Sequence, residues 1–328
     1  MTASTVGLTE QAAQAIRTAY RRAIETALVV VHPESPVVTA RGNDRLDLLN
    51  RMSTNKLDDM SPGQIRQTVL TNPVGQTVDW LRVLALPDHL ALLASPDRGS
   101  KVHDWLAGYI FFQDDVQLEL PSPWRLVGVY GPQAKGLLAG WRPELVPAGP
   151  DTFASLPGIF AWRVDRPAGG GFQLMAAQDH WKDLPAEWTS EADQPDRRSA
   201  YQALRIESGL PEVGAEILED TIPLEAGLWG AVNFSKGCYI GQEIIARLES
   251  RGRLAKHLVG LRLDGACEPG APVLQSQRKI GQITSCAWSP DLGWVGLGLI
   301  RPGSEPGDEG KVSVGVVPGR LVPLSAQP

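Results

Sequence analysis

Apolar residues recur at helical spacing near the start of the chain: Ala12, Ile16, Ala19, Ala23 and Ala27 follow Thr9, a good N-cap, and predict a helix reaching about residue 28. The pattern then changes to β-branched runs. "ALVVVHPESPVVTARG" holds two of them around a Pro-Glu-Ser-Pro turn, after which Asn43 or Asp44 can cap a short helix carrying Leu46, Leu49 and Met52. Three more strand-like runs, "IRQTVL", "TVDWLRVLAL" and "HLALLA", are broken by Thr-Asn-Pro-Val-Gly and Pro-Asp and predict an antiparallel meander. Ser95 and Pro96 open a helix in which Val102, Leu106 and Tyr109 share a face. Alternating "VQLEL", then "WRLVGVYG", lead to a helix start at Pro132.

Residues 141–198 are rich in proline, glycine and charge and predict peripheral strands and loops, with "FQLMAA" the clearest strand. Helical spacing returns in "DRRSAYQALRIESG", ended by Gly209. Beyond residue 253 short strands separated by Gly, Pro and Asp-Gly predict a small all-β domain. The fold class is therefore α+β, with residues 1–253 as one region and residues 254–328 as a C-terminal domain.

Composition narrows the function classes. A net charge of -6 on 328 residues gives no basic field for nucleic acid or anionic membrane, so no direct nucleic-acid partner is expected. No apolar run reaches the roughly 18 residues of a membrane helix, and the N-terminus lacks a basic start followed by an apolar run, so a cytoplasmic protein without membrane contact is expected. The cysteines Cys238, Cys267 and Cys286 are odd in number, with no Cys-x-x-Cys and no histidine at zinc-ligand spacing. Neither a disulfide framework nor a metal site is indicated.

The stretch "FSKGCYIGQEIIARLESRGR", residues 234–253, stands apart. Gly241-Gln242-Glu243 can begin a helix with Ile244, Ile245 and Leu248 facing inward and Glu243 paired to Arg247. Cys238 would then precede the positive end of that helix among Lys236, Arg247, Arg251 and Arg253, which favours a poised thiolate or an anion-binding pocket. The plainer reading is a small buried hydrophobe, which is the working answer for Cys267 and Cys286. Taken alone, Glu207 reads as a solvated helix position, and tryptophans such as Trp80, Trp105 and Trp229 as core.

"RIESGLPEVGAEI", "IPLEAGLWGAVNFSKGCYIGQEIIARLESRG" and "GQITSCAWSP" together resemble the YgfZ family, whose hallmark Lys-Gly-Cys-Tyr-x-Gly-Gln-Glu is present without substitution. That family belongs with the T-protein of the glycine cleavage system. The resemblance implies two interleaved α+β lobes plus a small C-terminal β-barrel around a pocket for tetrahydrofolate or a one-carbon derivative. It implies an accessory role in iron–sulfur cluster assembly or repair, with client or assembly proteins as partners, tRNA-modifying enzymes among them. The alternatives are an aminomethyltransferase or methyltransferase of the T-protein type, and a thiol redox sensor with a vestigial pocket.

Residue by residue, "ALRIESG" matches the superfamily's "LRLEAG", which makes Glu207 a partner for the pterin's donor edge. "GQTVDWLRV" matches the segment carrying an aspartate pair; Asp79 stands at the first position and Trp80 at the second, which weighs against aminomethyl transfer. Asn72, in the preceding turn, is expected to face the same pocket. The resemblance makes Cys238 and Lys236 the chemical residues and has Gln242, Glu243 and Arg247 shape the cofactor site.

Overall fold

The computed structural model describes residues 8–190, 194–252, 254–303 and 310–324. The boundary at residue 253, Arg253 and the side chain of Arg251 lie outside the described residues.

Helix α1 (Glu10–Glu25) starts where the Thr9 hydroxyl accepts the Ala12 N–H, and it buries Ile16, Ala19, Tyr20 and Ala23. Strands β1 (Leu28–Val31) and β2 (Ser35–Arg41) follow, then α2 (Arg45–Met52). The Asp44 carboxylate leaves that helix uncapped and instead accepts the backbone N–H of Asp115. Strands β3 (Ile65–Thr71), β4 (Thr77–Ala85) and β5 (His89–Leu93) form the expected antiparallel meander, and α3 (Gly99–Ala107) covers it. The two runs after α3 are one strand, β6 (Gln117–Tyr130), running on to α4 (Ala134–Trp141).

The middle of the chain departs from expectation. Strands β7 (Phe153–Leu156), β8 (Ile159–Val164) and β9 (Gly171–Ala177), followed by the short α5 (Ala186–Thr189), are not peripheral. β9 pairs with β6 along its whole length, and Ala161, Leu174 and Met175 are fully buried. The glycines and prolines that obscured this region lie in the turns, while the strand interiors carry the apolar residues.

One nine-stranded sheet results, ordered β3-β4-β5-β2-β6-β9-β8-β7, with β1 also paired to β6. It curls until its edges meet. Gln64 bridges Thr152, the Ile65 N–H donates to the Asp151 carbonyl at 2.9 Å, and the Phe153 N–H donates to the Gly63 carbonyl at 3.0 Å. Helices α2 and α3 pack on one lobe of the sheet over Leu48, Leu81, Val83 and Leu106. The other lobe buries Val127, Leu138, Ala161 and Leu174.

Helix α6 (Gln194–Glu207) lies against α1, and α7 (Gln242–Arg251) closes the first part of the chain. Strands β10 (His257–Leu263), β11 (Pro272–Gln275), β12 (Arg278–Ser289), β13 (Gly293–Ile300), β14 (Lys311–Val314) and β15 (Val317–Val322) close into a six-stranded barrel. Val273, Ile283 and Ile300 fill it without exposure, each contributing roughly 1.5–3 kcal/mol by burial. A buried polar cluster holds barrel and α6 together. Arg205 donates to Glu216 Oε2 at 3.0 Å and to the Ser285 hydroxyl at 2.7 Å, and Glu216 Oε1 accepts from Thr284 and Ser285. The fold is thus two α+β lobes on a shared sheet plus a closed barrel.

Candidate functional site

Where the sheet edges meet, two cavities of about 320 and 580 Å³ share a wall built by Gln67, Trp80, Arg82, Pro150, Asp151, Arg163, Asp165 and Arg166. Together they form one channel. On β4 the side chains alternate: Asp79, Leu81 and Val83 turn toward α2 and α3, while Trp80 and Arg82 turn into the channel. Trp80 packs on Val69, Leu228 and Ala231, and the Arg82 guanidinium carbon lies 5.5 Å from the Trp80 ring centroid. The first cavity is further lined by His32, Gln173 and Tyr201, the second by Asn55, Gly230 and Asn233.

A hydrogen-bonded row stiffens the wall behind Arg82. Trp162 Nε1 donates to Gln173, Gln173 Nε2 donates to the Tyr130 hydroxyl at 3.1 Å, and that hydroxyl lies 2.8 Å from His32 Nε2. Burial and then the nearby Arg82 and Arg198 charges depress the His32 imidazole to about 3, so it is neutral over the whole working pH range. Burial raises the Tyr201 hydroxyl to about 12 and pulls the Arg82 guanidinium down. Two enclosed donors in this wall, Arg82 Nε and Trp80 Nε1, have no acceptor.

None of the eight residues expected at the site lines these two cavities. Asp79 is wholly buried on the other face of β4, where Oδ2 accepts the Ser95 N–H at 2.9 Å, Oδ1 has no partner, and burial raises its pKa. It therefore offers the channel no carboxylate. Glu207 sits where α1, α6 and the barrel meet, accepting the Tyr20 hydroxyl at 2.9 Å, with its pKa raised by burial. The α6 residue that reaches the channel is Tyr201, six positions earlier and about 120° away around the helix axis. Neither of these two cavities is lined by Glu207, whose second oxygen, Oε1, is enclosed without a partner.

Of the other six expected residues, Asn72 lies in the β3–β4 turn, and Lys236, Cys238, Gln242, Glu243 and Arg247 belong to the segment leading into and forming α7. Lys236 is 7% exposed, and its ammonium donates to the carbonyls of Asn50, Ser53 and Asn55 at 2.6, 2.8 and 2.6 Å. Burial lowers its pKa to about 8, but all three N–H bonds are engaged at the C-terminal end of α2, so the side chain caps a helix and has no donor left for chemistry. Asn72 closes its own turn: its Oδ1 accepts from the Val74 and Gln76 N–H groups, and its Nδ2 donates to Gln76. Gln242 Oε1 accepts the Tyr239 N–H at 3.3 Å, and Glu243 and Arg247 pair at 2.6 Å on the exposed face of α7. These contacts are local and leave the lining of the channel to other residues.

Cys238 itself is exposed, on the loop before α7. That loop is held from three sides. The Ile240 N–H donates to the Arg51 carbonyl, the Thr71 hydroxyl donates to the Ile240 carbonyl, and Gly241 at φ 81 lies so close to the hairpin that a Cβ there would fall 2.6 Å from the Asn72 carbonyl oxygen. Only glycine fits that approach. Sequence reasoning missed Arg82, Gln67, Tyr201 and His32 as channel residues. The available signal was Arg82 two residues from Trp80 in the strand "TVDWLRVLA", and hence on the same face.

Comparison with known proteins matches this architecture. Residues 14–150 match the GCVT N-terminal domain, and residues 256–326 match the glycine cleavage T-protein C-terminal barrel domain. The aminomethyltransferase of Bacillus subtilis (strain 168) is 30% identical over 279 residues, covering 80% of this chain and 76% of that protein. A chloroplastic Arabidopsis thaliana protein named as a transferase is 29% identical over 275 residues, covering 80% of this chain, which spans 63% of that protein's length. The glycine cleavage system aminomethyltransferase T from Bartonella henselae superposes with a TM-score of 0.79 at 19% identity, over 94% of this chain and 88% of its own. The protein is thus a member of the class built from a curled α+β sheet, a central channel and a closed barrel. It belongs to the glycine cleavage T-protein superfamily.

Proposed function

We propose that this chain binds tetrahydrofolate or a one-carbon derivative in the central channel and serves, in the manner of the YgfZ branch, in the assembly or repair of iron–sulfur clusters in client enzymes. The observation that carries this reading over aminomethyl transfer is on β4. Trp80 occupies the channel face, and the Asp79 carboxylate is turned away beneath α3. A transfer reaction that relies on a positioned carboxylate has none from this strand. The channel suits the cofactor in size and lining: cavities of about 320 and 580 Å³ fall in the range of small-molecule sites, and Trp80 and Tyr201 present flat faces to a heterocycle. When bound, the folate would supply one-carbon chemistry, while Trp80, Tyr201 and Arg82 hold it and keep water from it.

The thiol of Cys238 is the reactive group in this reading. It is exposed at the surface on a loop pinned to α2 and to the β3–β4 hairpin, and does not line the two cavities, which is consistent with a partner protein reaching it from solvent. Iron–sulfur chemistry is thiolate chemistry, so a transient ligand or redox contact there is chemically consistent, whereas one cysteine does not hold a cluster of the usual four-ligand kind. The division into a folate-binding region, residues 1–253, and a barrel domain, residues 254–328, and a cytoplasmic location belong to the same reading. The second reading, a folate-dependent aminomethyltransferase, is favoured by the names of the Bacillus and Bartonella relatives.

The deciding experiment is an anaerobic tetrahydrofolate titration followed by tryptophan quenching, paired with iron–sulfur enzyme activities in a strain lacking this gene. Saturable micromolar binding together with loss of client activity supports the first reading. Turnover of an aminomethyl donor by the purified protein selects the second, and no binding up to millimolar ligand rejects both.

A further inference from the structure

Arg82 carries a charge that nothing in its surroundings answers. Apart from the solvent-exposed Asp151, the wall's other charged groups have partners: Arg66 with Asp59, Arg163 with Asp165 at 3.7 Å, Arg166 with the Ser208 carbonyl, and Glu212 with Arg205. Among the described residues Arg82 has neither an ion pair nor a side-chain hydrogen bond, and its Nε is enclosed without an acceptor. Asp151, on the same wall, is exposed to solvent and does not pair with it. Around the guanidinium stand Trp80, Tyr130, Tyr201 and a neutral His32. A partly buried cation with an enclosed N–H and no anionic partner is one that a bound anion would compensate.

Resting on the folate reading above, we infer that Arg82 is a carboxylate-binding residue inside the channel, and that the ligand presented there is an anion. The planar guanidinium matches a carboxylate with two parallel N–H bonds, a geometry a lysine cannot reproduce. Trp80, two residues away on the same face, keeps competing water off that contact and contributes the flat wall beside it. The two residues reverse the charge of the site: an acidic pair at this strand position would favour a cationic amine, whereas Trp80 with Arg82 favours a carboxylate. That carboxylate belongs either to the glutamate tail of the folate or to a separate small acid bound beside the pterin.

Calorimetric titration of the full chain separates these sources. Tetrahydrofolate and tetrahydropteroate share the pterin and differ in the glutamate, and oxalate serves as the probe for a free acid. If the tail is the source, the wild type binds tetrahydrofolate about tenfold or more tighter than tetrahydropteroate, and Arg82→Met erases the gap. If a separate acid is the source, the two pterins bind alike, and oxalate binds the tetrahydropteroate-loaded wild type but not Arg82→Met. Arg82→Lys, which keeps the charge and loses the fork, falls between in either case and stands in should the methionine variant not fold. The inference is overturned if Arg82→Met changes the ratio of the two pterins by less than threefold and oxalate does not distinguish it from the wild type. Failure of both tetrahydrofolate and tetrahydropteroate to bind the wild type would reject the folate reading alone, since the oxalate comparison on ligand-free protein still decides the role of Arg82.

Discussion

Replacing Lys236 with methionine separates a structural lysine from a chemical one. The substitution keeps the length of the side chain and removes the ammonium, leaving the carbonyls of Asn50, Ser53 and Asn55 without their shared donor. A hydrogen bond from a charged donor contributes about 1.5–3 kcal/mol, and a buried carbonyl left unpaired costs about 1–3 kcal/mol. Against this, the buried ammonium no longer has to be desolvated, and part of the exposed helix end regains water. A net loss of roughly 2–4 kcal/mol is expected, which for a chain of this size lowers the melting temperature by about 5 °C. Differential scanning fluorimetry at pH 7 reads this directly. A chemical lysine would give the opposite pattern, with unchanged melting and lost function. A melting temperature within about 1 °C of wild type would refute the assignment of Lys236 as the cap of α2.

Four further outcomes follow from the geometry. Glu216→Gln leaves the buried Arg205 with only the partly exposed Glu212 as a carboxylate partner and is expected to destabilise the protein by about 3 kcal/mol, measured by chemical denaturation. His32 binds its proton at about 3 when folded and at 6.5 when unfolded, so between those values the unfolded chain holds more protons and stability falls as pH drops below 6.5. The stability difference between wild type and His32→Gln should therefore shrink by up to about 1.4 kcal/mol per pH unit from pH 6 downward, and a pH-independent difference would contradict a buried neutral imidazole. Cys238→Ala, at an exposed position, should leave melting temperature and tetrahydrofolate affinity unchanged while failing to complement a strain that lacks the gene. Glu207→Gln should alter tetrahydrofolate affinity by less than threefold, because the carboxylate faces Tyr20 rather than the channel.

Much of the architecture was legible because local patterns and tertiary burial agree. The N-cap at Thr9, the meander of β3 to β5 and the short barrel strands all follow from periodicity and turn residues that the structure uses as expected. What escaped was decided by contacts distant in sequence. Strands β7 to β9 look like surface segments because their turns are rich in glycine and proline, yet pairing of β9 with β6 brings them into the main sheet. At the site, alternation along β4 turns Asp79 and Trp80 to opposite faces, but Asp79 was expected at the cofactor because which face meets the cavities depends on the sheet curling until Gln64 meets Thr152. Likewise the spacing of "ALRIESG" made Glu207 a helix residue without revealing that α1 and the barrel would enclose it.

The channel and the cysteine loop are separate places joined by one piece of scaffold. The β3–β4 hairpin presents Gln67, Trp80 and Arg82 to the channel along its length, and at its tip Thr71 and the turn at Asn72 hold Ile240 and Gly241. A second route runs through Thr54, whose hydroxyl donates to the Ala231 carbonyl and accepts the Val69 N–H, and whose carbonyl accepts the Asn233 N–H. Ala231 and Asn233 line the second cavity, and Lys236 lies three residues beyond. Both routes are backbone-anchored and buried, so a ligand that orders the channel wall acts on the same elements that fix the Cys238 loop. Coupling between sites requires a ligand to interact differently with two states of such shared elements. In the proposed function, the hairpin and Thr54 are the shared support of the channel wall and the Cys238 loop.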